Sequence, residues 1–253
     1  MCLILFAHQH NEQYKLVLIA NRDEYHHREA KPAAFWPQQT SIFGGIDCSA
    51  GGSWLSIDKT GRLAAITNIR KPPFSKDNTL SRGEVIANFL SQQQTAADFL
   101  AELTDSDHLY GLFNLLLLDD SGLWHYSSDT HRAQLISPGI HGLSNACLGT
   151  PWPKVSRSCA ALESQLQKPQ INEEHLLNIL QSSEQPAEHE IPVTGIDPEF
   201  ERLLSSAFIQ SDDYGTRCST LITIDHSNRV KFTELTYNRQ GEESSRVQQT
   251  IQA

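Results

Sequence analysis

The order of the predicted secondary-structure elements indicates a single α+β domain. Strand patterns at the N-terminus are followed by helical patterns, then by strands, helices and two final strands. No stretch of linker composition separates two cores, and no motif recurs with a period of ~20–50 residues. We therefore interpret residues 1–253 as one domain, with a Gln- and Glu-rich tail from about residue 238 that is predicted to be frayed.

The first two strands are predicted to form an antiparallel hairpin. Residues 2–8 and 14–20 are short apolar runs, and the segment between them is polar and short. A part rich in Pro and Gly, residues 32–52, has no assigned element. Two further strands are predicted at 54–57 and 62–68, joined by a turn that contains Gly61.

Capping-box patterns predict the next two helices. Ser81 stands three residues before Glu84, and Thr95 three residues before Asp98, each pair ahead of apolar residues with helical spacing. The remaining predicted strands are 111–119, 124–126, 134–137, 142–145, 218–225 and 230–236. The remaining predicted helices are 155–166, 175–180 and 199–207, with a polar loop over 183–197.

The composition argues against nucleic acid and anionic membrane surfaces as partners. Lys and Arg number 20 against 30 Asp and Glu, so the formal net charge is −10, and phosphate groups repel such a chain. The apolar run over residues 2–7 is too short for a secretory signal, and no run reaches the ~20 apolar residues of a membrane-spanning helix. The sequence therefore predicts a cytoplasmic protein without a transmembrane segment.

The cysteine pattern predicts neither a disulfide framework nor a zinc site. The five cysteines are odd in number, scattered and without a CxxC pair: Cys2, Cys48, Cys147, Cys159 and Cys218. Cys2 differs from the others because it follows Met1 directly. If Met1 is trimmed, one residue carries both a thiol and a free α-amine.

The predicted hairpin brings Cys2 close to a cluster of charged residues. If His8 lies opposite Tyr14, antiparallel pairing places Cys2 opposite Ala20, beside residues 21–24. The residues 21–24 are Asn, Arg, Asp and Glu. A nearby Arg favours the thiolate and lowers the pKa of a thiol, and a neighbouring Asp can hold an α-ammonium.

Several short motifs, in the order in which they stand, are similar to those of one protein family. They are Met1-Cys2, Asn21-Arg22-Asp23-Glu24, Gly51-Gly52-Ser53-Trp54-Leu55, Gly61-Arg62, Thr67-Asn68-Ile69-Arg70, Ser81-Arg82-Gly83, Phe113-Asn114-Leu115, Leu143-Ser144-Asn145, Pro151-Trp152-Pro153-Lys154 and Tyr214-Gly215-Thr216-Arg217-Cys218-Ser219-Thr220. Over most of its length the chain thus resembles the NRDE family, also called the transport and Golgi organisation 2 family. Ser53 is a mild departure, because Thr is the commoner residue there.

The resemblance implies an N-terminal-nucleophile hydrolase fold, a four-layer αββα sandwich of two mostly antiparallel sheets. The family is similar, more distantly, to bile-salt hydrolases and penicillin V acylases. Those enzymes use an N-terminal Cys, an Arg and an Asp after the second strand, two Asn residues and a later Arg. The positions that match by motif are Cys2, Arg22, Asp23, Asn68, Asn145 and Arg217.

The resemblance also implies a role for each of these residues. Cys2 would be the nucleophile, activated by its own α-amine, and Asn68 and Asn145 would donate hydrogen bonds to the oxyanion. Arg22 and Asp23 would sit beside Cys2. They are adjacent here, unlike in the acylases, and adjacent residues on a strand point to opposite faces. Both can reach Cys2 only if the strand has ended or bulged there.

Each candidate residue also has a purely structural interpretation. Cys2 would be a small core residue, residues 22–24 a surface charge cluster or an ion-pair network, and the two asparagines turn residues. Arg217 would only anchor a strand end. Four histidines, His8, His10, His26 and His27, are interpreted as solvated loop residues and not as metal ligands, because no ordered pattern of partner residues accompanies them.

Two functions follow from these observations. The first is a cysteine amidohydrolase that cleaves a small non-peptide amide or a thioester and needs no cofactor. The second is a non-enzymatic carrier of haem or of a lipid or acyl-CoA on the same fold, to which the family resemblance points. Haem would then be the transported ligand, although the sequence has no Cys-Pro haem-regulatory pattern. The oligomeric state is not predicted.

Overall fold

A computed structural model describes residues 2–72 and 80–252, with only the backbone of Cys2. The strands are β1 (Cys2–His8), β2 (Tyr14–Tyr25), β3 (Ala30–Phe35), β4 (Ile42–Asp47), β5 (Leu55–Asp58), β6 (Leu63–Asn68), β7 (Phe113–Asp119), β8 (Gly122–Ser127), β9 (Arg132–Leu135), β10 (Gly139–Leu143), β11 (Tyr214–Asp225), β12 (Arg229–Tyr237) and β13 (Glu243–Gln252). The helices are α1 (Arg82–Ser91), α2 (Ala96–Ser106), α3 (Pro153–Leu166), α4 (Glu173–Leu180) and α5 (Pro198–Leu203).

The strands form two antiparallel sheets that pack face to face. The first sheet has the order β10-β1-β2-β11-β12-β13, and the second runs from β3 to β9 in chain order. Helices α1 and α2 cover the outer face of the second sheet, and α3 and α4 cover the outer face of the first. The four-layer αββα sandwich is therefore confirmed.

The alternation of apolar side chains explains why each sheet of the sandwich is buried on both faces. On β1, Ile4 and Phe6 join the core between the sheets, while Leu3 and Leu5 pack with the helical layer of α3 and α4. Strand β2 repeats the pattern, with Leu18 between the sheets. A period of two residues sends successive side chains to opposite faces, so these strands read as continuous apolar runs.

Strand β2 is longer than the sequence predicted. The apolar run ends at Ala20, but the strand continues through the four polar residues to Tyr25. Asn21 is fully buried there because its Nδ2 donates to the carbonyls of Leu180 and Ala207, each at 2.8 Å, and its Oδ1 accepts from Ser219 Oγ at 2.6 Å. Partners distant in the sequence thus satisfy polar groups that hydrophobic periodicity would assign to a loop.

The hairpin register differs by two residues from the predicted one. His8 lies opposite Leu16 instead of Tyr14, so Cys2 lies opposite Arg22 instead of Ala20. The connecting segment keeps its predicted ends, but Asn11 Oδ1 accepts from the backbone N–H groups of Gln13 and Tyr14 and forms a local turn, so pairing with β1 begins at Leu16.

Two other regions also differ from the sequence-based expectation. The Pro- and Gly-rich segment without an assigned element contains β3 and β4. The expected frayed tail is wrong, because β13 pairs with β12 from Arg229 to Tyr237 as the edge strand of the first sheet. Its outward residues are polar, as is common on an edge strand, and composition alone therefore suggested disorder. Among the described residues, no helix has both the length and the apolar character needed to cross a membrane.

Candidate active site

The candidate site is a cavity at the end of the sandwich where β1 begins. Its volume is about 450 Å³, and its wall includes Arg22, Asp23 and Asn68. Backbone pairing places Cys2 opposite Arg22. A larger cavity, of about 630 Å³, is lined by His8 at the other end of β1 and touches none of the five predicted residues whose side chains the structure describes.

The Arg22 guanidinium is held between the two sheets. Its Nη2 donates to Asp47 Oδ2 at 3.0 Å, and its side chain is only 5% exposed. The guanidinium carbon also lies 4.4 Å from the centre of the Trp54 ring, which places the cation over an aromatic face. Arg22 is thus fixed by an ion pair and a stacking contact, both with residues of the second sheet or its loops.

Asp47 is the residue of the site that sequence reasoning missed. Its Oδ2 accepts from Arg22 and from Arg28 Nε at 2.7 Å, and its Oδ1 accepts from the N–H groups of Ser49 and Ala50. Burial alone would raise the pKa of Asp47, but the hydrogen bond and charge of Arg28, with the backbone donor, lower it overall. No motif quoted above contains Asp47, whereas Trp54 belongs to the Gly51-Gly52-Ser53-Trp54-Leu55 motif.

Asp23 lies on the opposite face of β2 from Arg22. Its Oδ1 accepts from Thr216 Oγ1 at 2.7 Å, and its main-chain carbonyl accepts from Tyr214 Oη at 3.0 Å. Burial raises the pKa of the Asp23 carboxyl, and the charge of Lys154 on α3 acts in the opposite direction. The strand has neither ended nor bulged at Arg22, so the two adjacent side chains alternate between the faces.

The two predicted asparagines occupy different places. Asn68 ends β6 and lines the cavity, and its side chain makes no hydrogen bond to another described residue. Asn145 is fully buried behind it, with Nδ2 donating to the Asn68 main-chain carbonyl at 2.8 Å. Asn145 therefore supports the backbone of Asn68, and Asn145 itself does not line the cavity.

Arg217 is the bulged residue of β11 and does not line the cavity. The register of β11 against β2 shifts between Thr216 and Cys218. The Arg217 Nη1 donates to the main-chain carbonyls of Tyr25, His26 and Arg28 at 3.1–3.3 Å. Burial lowers the pKa of Arg217, and the nearby charge of Arg22 lowers it further. In this position Arg217 holds the turn that follows β2.

The start of helix α1 also lines the site, and the charge of Arg22 acts on a buried acid between the sheets. Ser81, Arg82 and Gly83 line the same cavity as Arg22. Glu234, on the inner face of β12, accepts from the Ala33 N–H at 2.7 Å and joins the two sheets. Burial raises the pKa of Glu234 to about 7. In residues 2–72 and 80–252, no three His, Cys, Asp or Glu side chains are grouped as a metal would require.

Sequence comparison shows the family of the chain. The sequence pattern of the family described as "Transport and Golgi organisation 2" matches residues 1–239. The chain belongs to this family. It is 33% identical to the Transport and Golgi organization protein 2 homolog of Bos taurus over 262 residues, which covers 92% of each chain. Its identity to the Homo sapiens homolog is 31%, with the same coverage of both chains.

Solved structures of two hydrolases share the fold of this member of the Transport and Golgi organisation 2 family. The Caenorhabditis elegans ortholog of N-acylethanolamine-hydrolyzing acid amidase superposes with a TM-score of 0.52 at 12% identity, covering 87% of this chain and 92% of that one. A C2A mutant of the conjugated bile acid hydrolase from Clostridium perfringens gives a TM-score of 0.53 at 8% identity, covering 98% and 92%. The N-terminal-nucleophile hydrolase fold expected from the motifs is thereby confirmed.

Proposed function

We propose that the protein is a cysteine amidohydrolase that cleaves a small non-peptide amide or a thioester after Met1 has been removed. The observation that carries the proposal is the pairing of Cys2 with Arg22 at a cavity that Asn68 also lines. Both hydrolases with the same fold support this interpretation, since one is an acid amidase and the other is a bile acid hydrolase whose solved form carries the C2A substitution. No cofactor is required for this reaction.

The reaction begins with proton transfer from the Cys2 thiol to its own α-amine, whose ordinary pKa of about 7.7–8.0 suits a base near neutral pH. The sulfur attacks the substrate carbonyl and forms a C–S bond. The oxyanion accepts a hydrogen bond from the Asn68 side chain, a contact worth ~100–1000-fold in rate. The leaving amine or thiol takes the proton from the α-ammonium as its bond to carbon breaks.

Water completes the cycle. It gives one proton to the α-amine as its oxygen attacks the acyl-enzyme carbonyl, and collapse releases a carboxylic acid and regenerates the thiol. The charge of Arg22 favours the thiolate. In this assignment Asp23, Asn145 and Arg217 act through their neighbours: Asp23 through Thr216, Asn145 through the Asn68 backbone and Arg217 through the turn after β2.

The test is intact-mass analysis of the purified protein before and after treatment with a hexanoyl thioester. The other cysteines determine its design. Cys48 and Cys147 are exposed, so the measurement uses a variant with both replaced by Ser. Burial, helped by Glu163, raises the pKa of the Cys159 thiol to about 11, and Cys218 is buried. In this background, a hexanoyl adduct at neutral pH reports on Cys2.

The expected result is loss of Met1 and one adduct that peptide mapping assigns to Cys2. A matched control inserts one Lys between Met1 and Cys2, which keeps the thiol but moves the α-amine away. The control should not be acylated. Absence of an adduct on Cys2 in the processed protein would reject the hydrolase.

The alternative is a cytoplasmic carrier of haem, a lipid or an acyl-CoA that uses the same cavity without covalent chemistry. A carrier keeps its ligand affinity in the protein with the inserted Lys, whereas a hydrolase loses turnover. Titration with haemin separates a haem carrier from a lipid carrier or an acyl-CoA carrier, because only a haem carrier changes the haemin absorbance. The names of the related family members mention no ligand. The carrier is therefore supported only by the family resemblance.

A further inference from the structure

The start of helix α1 and the Arg22 side chain share one wall of the cavity and are joined by a short loop. Gly83 accepts a hydrogen bond from the Ser53 N–H at 3.2 Å, and the next residue, Trp54, carries the Arg22 guanidinium on its ring. The contact is close because residue 52 is Gly. A Cβ there would lie 2.3 Å from the Gly83 carbonyl carbon, and the φ of Gly52 is +73°.

The N-terminus of α1 is not capped by a side chain. Ser81 stands at the cap position with extended backbone angles, but its side chain makes no capping hydrogen bond. The ten-residue helix directs its first N–H groups and the positive end of its dipole to this cavity wall. A helix start of this kind favours a negatively charged group.

A second, independent feature points to the same ligand chemistry. Arg22 is 95% buried, and its Nη1 has no hydrogen-bond partner among the described residues. The Nε1 of Trp54, on the same wall, is also buried without a partner in the described part of the chain. Buried donors are normally satisfied, so two unsatisfied donors on residues that line one cavity point to an acceptor bound there.

Two carboxylates near this wall are already engaged by arginines, and the Asp23 carboxylate accepts from Thr216 on the opposite face of β2. Asp47 accepts from Arg22 and Arg28. The Oε2 atom of Glu24 lies 3.8 Å from the Nε atom of Arg28. Arg82, the first residue of α1, adds a third guanidinium to the cavity wall and donates to the Leu112 carbonyl. The Arg22 Nη1 has no acceptor among the described residues, and the start of α1 has no side-chain cap.

We propose that the start of α1 and the Arg22 Nη1 edge bind an anionic group of the substrate, a carboxylate or a phosphate. The inference rests on the proposed hydrolase, and it narrows the substrate to an acyl compound that carries a negative charge within the length of the cavity. Binding of that charge holds the substrate beside Arg22, the residue of β2 with which the Cys2 backbone pairs.

The test measures binding without covalent chemistry, by NMR titration of the ¹⁵N-labelled full chain. The probes are hexanoate, its neutral isostere hexanamide and inorganic phosphate. We expect hexanoate to bind roughly tenfold more tightly than hexanamide, since hydrogen bonds to a charged group are the stronger ones. The amides of Arg82 and Gly83 should shift with hexanoate. Phosphate that binds more tightly than hexanoate would assign a phosphate-bearing substrate, and the reverse order a carboxylate-bearing one.

The decisive variant is Ser81→Asp, which places a carboxylate at the helix start. Asp is a favoured N-cap, so the variant should fold. It should lose the preference for hexanoate over hexanamide. Ser156→Asp, an exposed position in the first turn of α3, is the matched control and should keep the preference.

Equal binding of hexanoate and hexanamide to the unchanged protein would overturn the proposal, and so would a preference that survives Ser81→Asp. The hydrolase proposal is judged separately, by acylation of Cys2. If hexanoate is preferred over hexanamide but Cys2 is not acylated, the anion-binding site stands and the hydrolase is rejected. If Cys2 is acylated but hexanoate is not preferred, the hydrolase stands and the anion-binding site is rejected.

Discussion

The Arg22 Nη2 and Asp47 Oδ2 atoms lie 3.0 Å apart and join the two sheets of the sandwich. Arg22 belongs to β2 in the first sheet and Asp47 ends β4 in the second. The pair therefore holds the sheets together at the end of the sandwich where the candidate site lies, and it fixes the guanidinium of a residue that lines the cavity.

Removal of Asp47 should destabilise the fold strongly. Asp47→Ala leaves the buried Arg22 charge without its counter-ion, and we expect a loss of about 3 kcal/mol in the free energy of unfolding. Urea denaturation measures it. Glu184→Ala, which breaks the exposed pair with Arg157, is the control and should change the free energy by less than about 1 kcal/mol. If Asp47→Ala lowers the free energy of unfolding no more than Glu184→Ala does, the Arg22–Asp47 pair does not stabilise the packing of the two sheets.

Glu234 should make the stability fall as pH rises. Burial raises the pKa of its carboxyl from 4.5 to about 7 in the folded protein, so the folded state binds the proton more tightly than the unfolded one. Its stabilising contribution is full below pH ~4.5 and is lost as pH rises through about 7, by about 3 kcal/mol in total. Glu234→Gln removes this titration.

The measurement for Glu234 is urea denaturation of both proteins from pH 4.5 to 8. The difference in their free energies of unfolding should change over that range, because all other titrating groups are shared. Gln keeps an oxygen for the Ala33 N–H, so the variant should still fold. A constant difference across the range would contradict a titrating Glu234.

Substitution of Asn145 should lower the stability of the protein, whereas substitution of Asn68 should lower the reactivity of Cys2. Asn145→Ala removes a buried hydrogen bond to the Asn68 carbonyl and should cost about 2 kcal/mol of stability. Asn68→Ala removes a part-exposed side chain that makes no hydrogen bond to another described residue, so its cost should stay within about 1 kcal/mol. Its Cys2 acylation rate should nevertheless fall ~100–1000-fold if Asn68 donates to the oxyanion.

Thermal unfolding and the acylation rate, measured on both asparagine variants, test this separation. Asn68→Asp provides a further comparison, since its carboxylate cannot donate to an oxyanion at neutral pH. An Asn68→Ala protein that is acylated at the unchanged rate would remove Asn68 from the mechanism.

Arg217 should act on the turn after β2. Its guanidinium donates to three main-chain carbonyls between Tyr25 and Arg28. Arg217→Ala should cost about 2 kcal/mol and increase amide hydrogen exchange over residues 25–29, because those carbonyls lose a charged donor. Arg217→Lys should restore part of the protection. Exchange measured by mass spectrometry would contradict this role if residues 25–29 stayed as protected as in the unchanged protein.

Local patterns were sufficient to predict most of the elements. The capping pattern at Thr95 is present as expected, with Thr95 Oγ1 accepting from the Asp98 N–H at 3.2 Å. At Ser81 the helix begins as predicted, but the expected side-chain cap is absent. The difference matters for function, because a side-chain cap would occupy N–H groups that an uncapped helix start can offer to a ligand.

The sequence by itself determined the amphipathic helices and the hairpin that brings Cys2 to the charged motif, because short-range periodicity encodes both. Its ordered motifs indicated the αββα fold through the family that they resemble. Tertiary structure decided which face each motif residue occupies. Asn21 and Asp23 turn toward partners supplied by residues 180–219, and Arg22 turns toward Asp47. These contacts join residues 25 to 193 positions apart. No local pattern records such pairs, so only the packed sheets could show them.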